Sequence, residues 1–377
     1  MKRWIYILPL VVLWLIPQES GASVAAQAEL VSEAAAEESA LTVEEKSGTP
    51  IDVKEIIFGH LKDSYEWHII TVGEKEIAIY LPVILHSKET GWHFFMSDKL
   101  KQKGGYDGFY ISATGKYSGK IVERDSMGME VRPLDLSLTK VALGIVINSI
   151  LLLIIVMLCA GWYKHHEPTD TPPRGFVGLF ELVSVMIIDD VIRPAIGRDY
   201  KRFTPLLLSL FFFIFLSNLM GLVPIFPGGA NVTGNIAVTL TLALTTFVTV
   251  NVLGTKEYWK EILWPDVPTF LKCPVPLMPI IEFFGIFTKP FSLTVRLFAN
   301  MTAGHSVILA LTCVIFITAN IGPLIGTPMS VVSIVFMIFM NCLELLVAYI
   351  QAYVFTMLSS MFIGMSRVRE NDNESTK

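Results

Sequence analysis

Apolar and polar positions divide the chain into three unlike stretches. Trp4 to Ile16 is a short apolar run behind Lys2 and Arg3, and Ala26-Gln27-Ala28 follows it. That order predicts a bacterial-type secretory signal, cleaved on export, the alternative being an uncleaved anchor helix, for which the apolar run is short. Residues 29–50 (ELVSEAAAEESALTVEEKSGTP) hold little apolar content and predict a disordered acidic leader. Over residues 51–136, runs such as HIITV, EIAIYLPVIL, WHFFM and GFYISATGKYSGKIV are rich in β-branched and aromatic residues and are punctuated by Gly, Asp and Lys. They predict a small β-containing domain.

The third stretch is long and apolar. VALGIVINSILLLIIVMLCAGW (141–162), FTPLLLSLFFFIFLSNLMGLVPIF (203–226) and NIAVTLTLALTTFVTVNVLG (235–254) each predict one spanning helix. About 20 apolar residues suffice to cross the hydrocarbon layer. Two further stretches, about 276–318 and 329–365, exceed one perpendicular crossing and predict strongly tilted or broken helices. In GFVGLFELVSVMIIDDVIRPAIG (175–197), Glu181, Asp189 and Asp190 interrupt the apolar pattern, which suits a helix at the membrane interface or packed under the membrane part. The expected fold is an all-α polytopic membrane protein with about five crossings and two long tilted C-terminal helices. A small β-containing extracytoplasmic N-terminal domain precedes them. Its divisions are a signal peptide at 1–28, a leader at 29–50, the β-containing domain at 51–136, a transmembrane domain at 137–366 and a tail at 367–377.

Composition agrees. The chain is 53% hydrophobic and 17% charged, against about 25% charged in soluble domains. A net charge of −5 argues against a nucleic-acid partner. Cys159, Cys273, Cys313 and Cys342 lack metal-ligand spacing and read as packing thiols rather than disulfides or a zinc site. Loop charges set the orientation. Lys164, Arg174, Arg193, Arg198, Lys201 and Arg202 lie between the first two spans, and Lys256, Lys260 and Lys272 follow the third. The loops PGGANVTG and ANIGPLIGTP are uncharged, while the tail carries Arg367, Arg369 and Lys377. The positive-inside rule puts the basic loops and the C-terminus in the cytoplasm. An exported N-terminus followed by five crossings gives the same result. The expected location is a bacterial cell inner membrane, with the N-terminal domain in the periplasm.

Chemistry concentrates in the last two stretches. Within residues 276–365 the charged side chains are Glu282, Lys289, Arg296 and Glu344, joined by His305. Intramembrane ionisable groups are costly and mark ion or proton paths. On a helix, Ser292, Arg296 and Asn300 fall at about −40°, 0° and +40°, one polar stripe, and His305 falls at about 180° from Arg296. Lys289 and Glu282 join the stripe if the helix runs through Pro290. Glu344 and Gln351, seven residues apart, share a face of the last helix, with Asn341 about 60° away. No phosphate-cradling glycine loop, metal cluster or nucleophile–base pair is present, so neither cofactor nor metal is expected, and ion movement is the expected function.

KPFSL followed by RLFANMTAG, and ELLVAYIQA in the last stretch, resemble subunit a of F-type ATP synthases. PRGFVGLFELV, SNLMGLVP, NIAVTLTLAL and HLKDSYEWHI match that family in order and spacing, so the resemblance covers about residues 55–366. It implies a stator ion channel with two half-channels, not catalytic alone. The implied partners are a ring of c subunits, a peripheral stalk of b subunits, the rest of the ATP synthase and membrane lipid. It further implies that Arg296 is the essential arginine facing the ring and that Asn300 and Gln351 are its polar neighbours. Glu282 matches an acidic residue of the cytoplasmic half-channel. His305 and Glu344 interchange the family's common bacterial glutamate and histidine, which keeps an acid and a base between the same two helices. They are read as a facing pair. The signal peptide and the β-rich insert depart from the short form of the family. Two other readings are a free-standing ion-coupled secondary transporter, which internal repeats would favour, and a membrane anchor for the β-rich domain.

Overall fold

The structure is a computed structural model that describes residues 63–367, apart from 73–74, 102–104, 113–116, 125–128, 167–172, 224–227, 264–276 and 322. The expected signal peptide, the leader and the tail beyond Arg367 lie outside the described residues. The described chain divides into two compact units: residues 63–154 with 216–232, and residues 155–215 with 233–367.

In the first unit, β1 (Glu66–Val72) pairs antiparallel with β2 (Lys75–Tyr80). β3 (Pro82–Ser87) lies between β4 (Gly91–Met96) and β8 (Leu134–Asp135), and β5 (Phe109–Ile111), β6 (Ile121–Arg124) and β7 (Glu130–Val131) form a third sheet. Side chains alternate across β3: Val83, Leu85 and Ser87 are buried, while Pro82, Ile84 and His86 face the other way. Val83, Leu85, Phe95, Phe109 and Ile121 form the core with Tyr65 and Leu100. Asp107 (φ 54) and Gly108 (φ 83) make the tight turn that lets Tyr106 and Phe109 exchange backbone hydrogen bonds. Positive φ at two successive residues is what such a turn demands, and Asp-Gly supplies it at low cost.

The domain runs directly into α1 (Lys140–His165). Asp63 accepts a hydrogen bond from the Val141 N–H (3.1 Å), Thr139 Oγ1 accepts one from the Ala142 N–H, and the Lys140 N–H donates to the Ser64 carbonyl. These bonds satisfy donors that a helix start leaves unpaired. Further along, Asn148 donates to Ser217 Oγ (3.1 Å) in a buried contact.

The second unit is helical. α2 (Phe176–Met186), a π segment (Ile187–Ile192), α3 (Arg193–Ile196) and α4 (Tyr200–Leu222) form a nearly continuous run of 47 residues. Sequence patterning separates this run into a lone helix and a span; the structure joins them across a short turn at Gly197 (φ 71). Pro194 supplies no N–H, and its ring crowds the carbonyl four residues back; the wider π turn stands immediately before it. α5 (Ile236–Val252) is capped by Asn235, whose side chain accepts from the Ala237 N–H. Its Thr241, Thr245 and Thr249 donate to carbonyls four residues back, a way to satisfy hydroxyls in apolar surroundings. α6 (Lys256–Leu263) is short, and α7 (Leu277–Ile321) and α8 (Pro323–Ser366) are 45 and 44 residues long. α7 continues through Pro290, so its polar residues keep one helical phase. Among the described residues four helical runs are long and apolar enough to cross a membrane, and α5 is a shorter apolar helix of 17 residues.

Candidate functional site

α7 and α8 pack along one another. On α8 the buried positions Glu344, Ala348, Gln351, Ala352 and Phe355 recur at helical spacing, and on α7 so do Leu293, Leu297 and Met301. Into this seam His305 brings Nδ1 to 2.5 Å from Glu344 Oε1. The two side chains are within hydrogen-bonding distance. Glu344 is only 4% exposed, and its other oxygen, Oε2, is buried without a partner among the described residues. Gly304 makes room for the carboxylate: a Cβ there would lie 2.9 Å from Oε1 and 3.0 Å from Cδ. The structure brings together the acid and the imidazole that the resemblance implies as a facing pair.

Arg296 stands elsewhere. With Ser292 and Asn300 it forms an exposed stripe along α7, and no side-chain partner of Arg296 appears among the described residues. Gln351 does not join that stripe. It is 8% exposed and lies on the buried face of α8 with Glu344. Asn341 is exposed and donates to the Met337 carbonyl.

Lys289 also leaves the stripe, its ammonium 5.4 Å from the centre of the Phe362 ring. It lines a crevice of about 20 Å³ with Thr246, Asn251, Tyr258 and Phe362, room for roughly one water molecule. Asn251 donates to the Phe247 carbonyl, and its Oδ1 is buried without a partner among the described residues. Burial raises the pKa of the Tyr258 phenol, and the charge of half-buried Glu282 raises it further, which places Glu282 near α6. Sequence reasoning missed this crevice, because its polar lining comes from three helices, α5, α6 and α7, and is closed by Phe362 of α8. The only local sign is Asn251, a polar residue near the end of an apolar span. Cys159, Cys313 and Cys342 are free thiols. No group of three or more His, Cys, Asp or Glu able to hold a metal ion occurs among the described residues.

Chemically, the site offers an acid–imidazole pair within hydrogen-bonding distance in the seam between two helices, and a guanidinium presented outward from one of them. Known proteins similar to this chain are identifiable. The family described as ATP synthase A chain matches residues 145–364, and a family described as a domain of unknown function (DUF8433) matches residues 56–136. ATP synthase subunit a 2 of Chlorobaculum tepidum is 41% identical over 65% of this chain and 68% of its own length. ATP synthase subunit a of Chlorobium phaeobacteroides is 42% identical over 63% and 67%, and that of Myxococcus xanthus 39% identical over 62% and 74%. The chain belongs to the subunit a family of ATP synthases.

Proposed function

We propose that Arg296 separates two aqueous half-channels that load and unload protons on the carboxylates of a rotating c-subunit ring. As a member of its family the chain is the proton-translocating stator component of the membrane sector and is not catalytic alone. The observation that supports the finer reading is the exposed Arg296, without a side-chain partner among the described residues, between Ser292 and Asn300 on a long and mostly apolar helix. Such a cation is costly in lipid, so it needs an anionic partner from outside this chain. A carboxylate arriving opposite it gives up its proton to one channel and is reloaded from the other. At about 4 Å and an effective dielectric near 20 the attraction is roughly 4 kcal/mol. A proton crossing about 150–200 mV releases roughly 3.5–4.6 kcal/mol. The pair is thus strong enough to unload a carboxylate and weak enough to break at each step. A guanidinium never loses its proton, whereas a buried lysine does.

His305 and Glu344 are assigned to the extracytoplasmic half-channel and Glu282 to the cytoplasmic one. Gln351 backs the seam between α7 and α8. The c ring would contact the Arg296 stripe, and b subunits would hold the chain as part of the stator. The N-terminal domain would lie in the periplasm and the C-terminus in the cytoplasm of a bacterial inner membrane, as the loop charges require.

The test is Arg296→Ala in the assembled complex reconstituted into proteoliposomes. Proton-driven ATP synthesis should be lost while the complex still assembles, and Arg296→Lys should retain little coupling. Synthesis by Arg296→Ala at a near normal rate would end this reading.

A further inference from the structure

The sheet β4-β3-β8 has one face on the core of its domain and one face uncovered. On the uncovered face the register sets Trp92 beside His86, Phe94 beside Ile84 and Met96 beside Pro82, with Leu134 on the far side of His86. Trp92 is 63% exposed and Phe94 73%, and Met96, Leu134 and Leu136 are also exposed. No charged side chain stands on this face of the three strands. The exposed apolar area is on the order of 500 Å², the size of the largest apolar patch on a typical monomer, which is often functional.

The strands are continuous with the first membrane span. Past the end of β8, the Leu136 N–H donates to the Ile84 carbonyl and the Leu138 N–H to the Pro82 carbonyl, and α1 begins at Lys140. Leu136 is four residues from that helix start, at most about 14 Å by chain length. The patch therefore leads along β3 to the point where the chain enters the membrane. Met96 and Leu136 stand nearest that point and Trp92 farthest along the sheet, so the whole face reaches the interface only if the sheet lies along the membrane surface, where Trp concentrates. Charged residues flank the patch rather than enter it: Lys88 and Glu89 in the far turn, Asp98 beside Lys99 and Lys101 at the near end. An area near 500 Å² also falls short of the roughly 800 Å² that each partner buries in a standard protein interface.

We propose that this face, Trp92, Phe94, Met96, Leu134 and Leu136, lies in the interfacial layer of the lipid leaflet where α1 begins, and so docks the N-terminal domain on the membrane. The domain is then held by its covalent link, by its bonds to the start of α1 and by a lipid-seated sheet.

The test uses the complete ATP synthase in liposomes of phosphatidylethanolamine and phosphatidylglycerol, in a background without the native cysteines. Nitroxides are placed singly by Phe94→Cys, Trp92→Cys and, as a control in the far turn, Lys88→Cys. The three positions are exposed, so the label does not disturb the core. Labels at 94 and 92 should collide more often with dissolved oxygen than with a water-soluble nickel chelate, and the label at 88 should show the reverse. Nickel access at 94 equal to that at 88 would mean that the face is wet and would overturn the proposal. Shielding of 92 and 94 from both reagents would mean that another subunit or a second copy covers it, which overturns the proposal equally.

Discussion

At the scale of single residues, one oxygen of Glu344 meets His305 and the other has no partner among the described residues. Removing one member of a buried charged pair leaves the other uncompensated, at a cost of about 3–5 kcal/mol. His305→Ala and Glu344→Ala should therefore each lower passive proton uptake by at least tenfold in membranes stripped of the catalytic head. The exchange His305→Glu with Glu344→His should recover a good part of the loss, because the contact returns with its partners reversed. An exchanged pair as impaired as the two single losses combined would show that the residues do not act as a unit. Asp63 offers a second test, outside the spans. Burial pushes its carboxyl above the usual range, only partly opposed by the Val141 N–H, the Thr139 hydroxyl, Lys120 and Lys140. A raised folded value means that protonation favours the fold. That benefit is complete below the unfolded carboxylate range and is lost as pH rises through the folded value. Asp63→Asn keeps the acceptor for Val141 and cannot ionise. Its Tm relative to the wild type should improve steadily as pH is raised from acid to neutral. A gap independent of pH would refute this account.

Among the elements, the end of α8 is tied to two others by one side chain. Arg367 donates through Nε and Nη2 to Asp199, at 3.1 and 2.5 Å, and through Nη1 to the Leu253 carbonyl at 3.0 Å. Close packing reinforces the tie, since a Cβ on Gly364 would lie 2.0 Å from the Ala195 carbonyl oxygen of α3. Arg367→Ala removes two hydrogen bonds to a partly buried carboxylate and one to a carbonyl, at about 2 kcal/mol. The purified complex should melt a few degrees lower, with Arg367→Lys in between because an ammonium lacks the fork; an unchanged melting temperature for Arg367→Ala would remove the tie. From sequence, Arg367 counts only as a tail charge that helps to set orientation. The same limit explains what else was hidden. Apolar length is local, so α1, α5, α7 and α8 were legible within a few residues. The opposition of His305 to Arg296 was legible because angular arithmetic holds along any unbroken helix, and α7 continues through Pro290. The joining of α2 to α4 was not, because Glu181, Asp189 and Asp190 look like an interfacial surface until the run is seen to continue past Gly197. Gly304 and the Lys289 crevice were invisible as well, since each is defined by atoms of other helices.

For the molecule as a whole, the number of crossings decides which side of the membrane every site faces. α5 is the element on which the count turns. Its 17 residues rise about 25 Å, somewhat less than the ~30 Å hydrocarbon layer, and a short span is accommodated by local thinning at modest cost. Its threonines return their hydroxyls to the backbone, and its flanks differ in charge, none in PGGANVTG but Lys256 and Lys260 on the other side. Those features favour a crossing. If α5 crosses, a reporter active only outside the cytoplasm should work when fused near Tyr106 or at Gly228–Gly229 and stay silent after Arg367. If α5 instead lay along one face, the later helices would be inverted. A fusion after Arg367 would then be active, and His305, about 13 Å beyond Arg296 along α7 at 1.5 Å per residue, would open toward the cytoplasm. The half-channel assignments of His305 with Glu344 and of Glu282 would exchange. Fusions at those three positions therefore fix which channel each acid serves, independently of any measurement of proton flux.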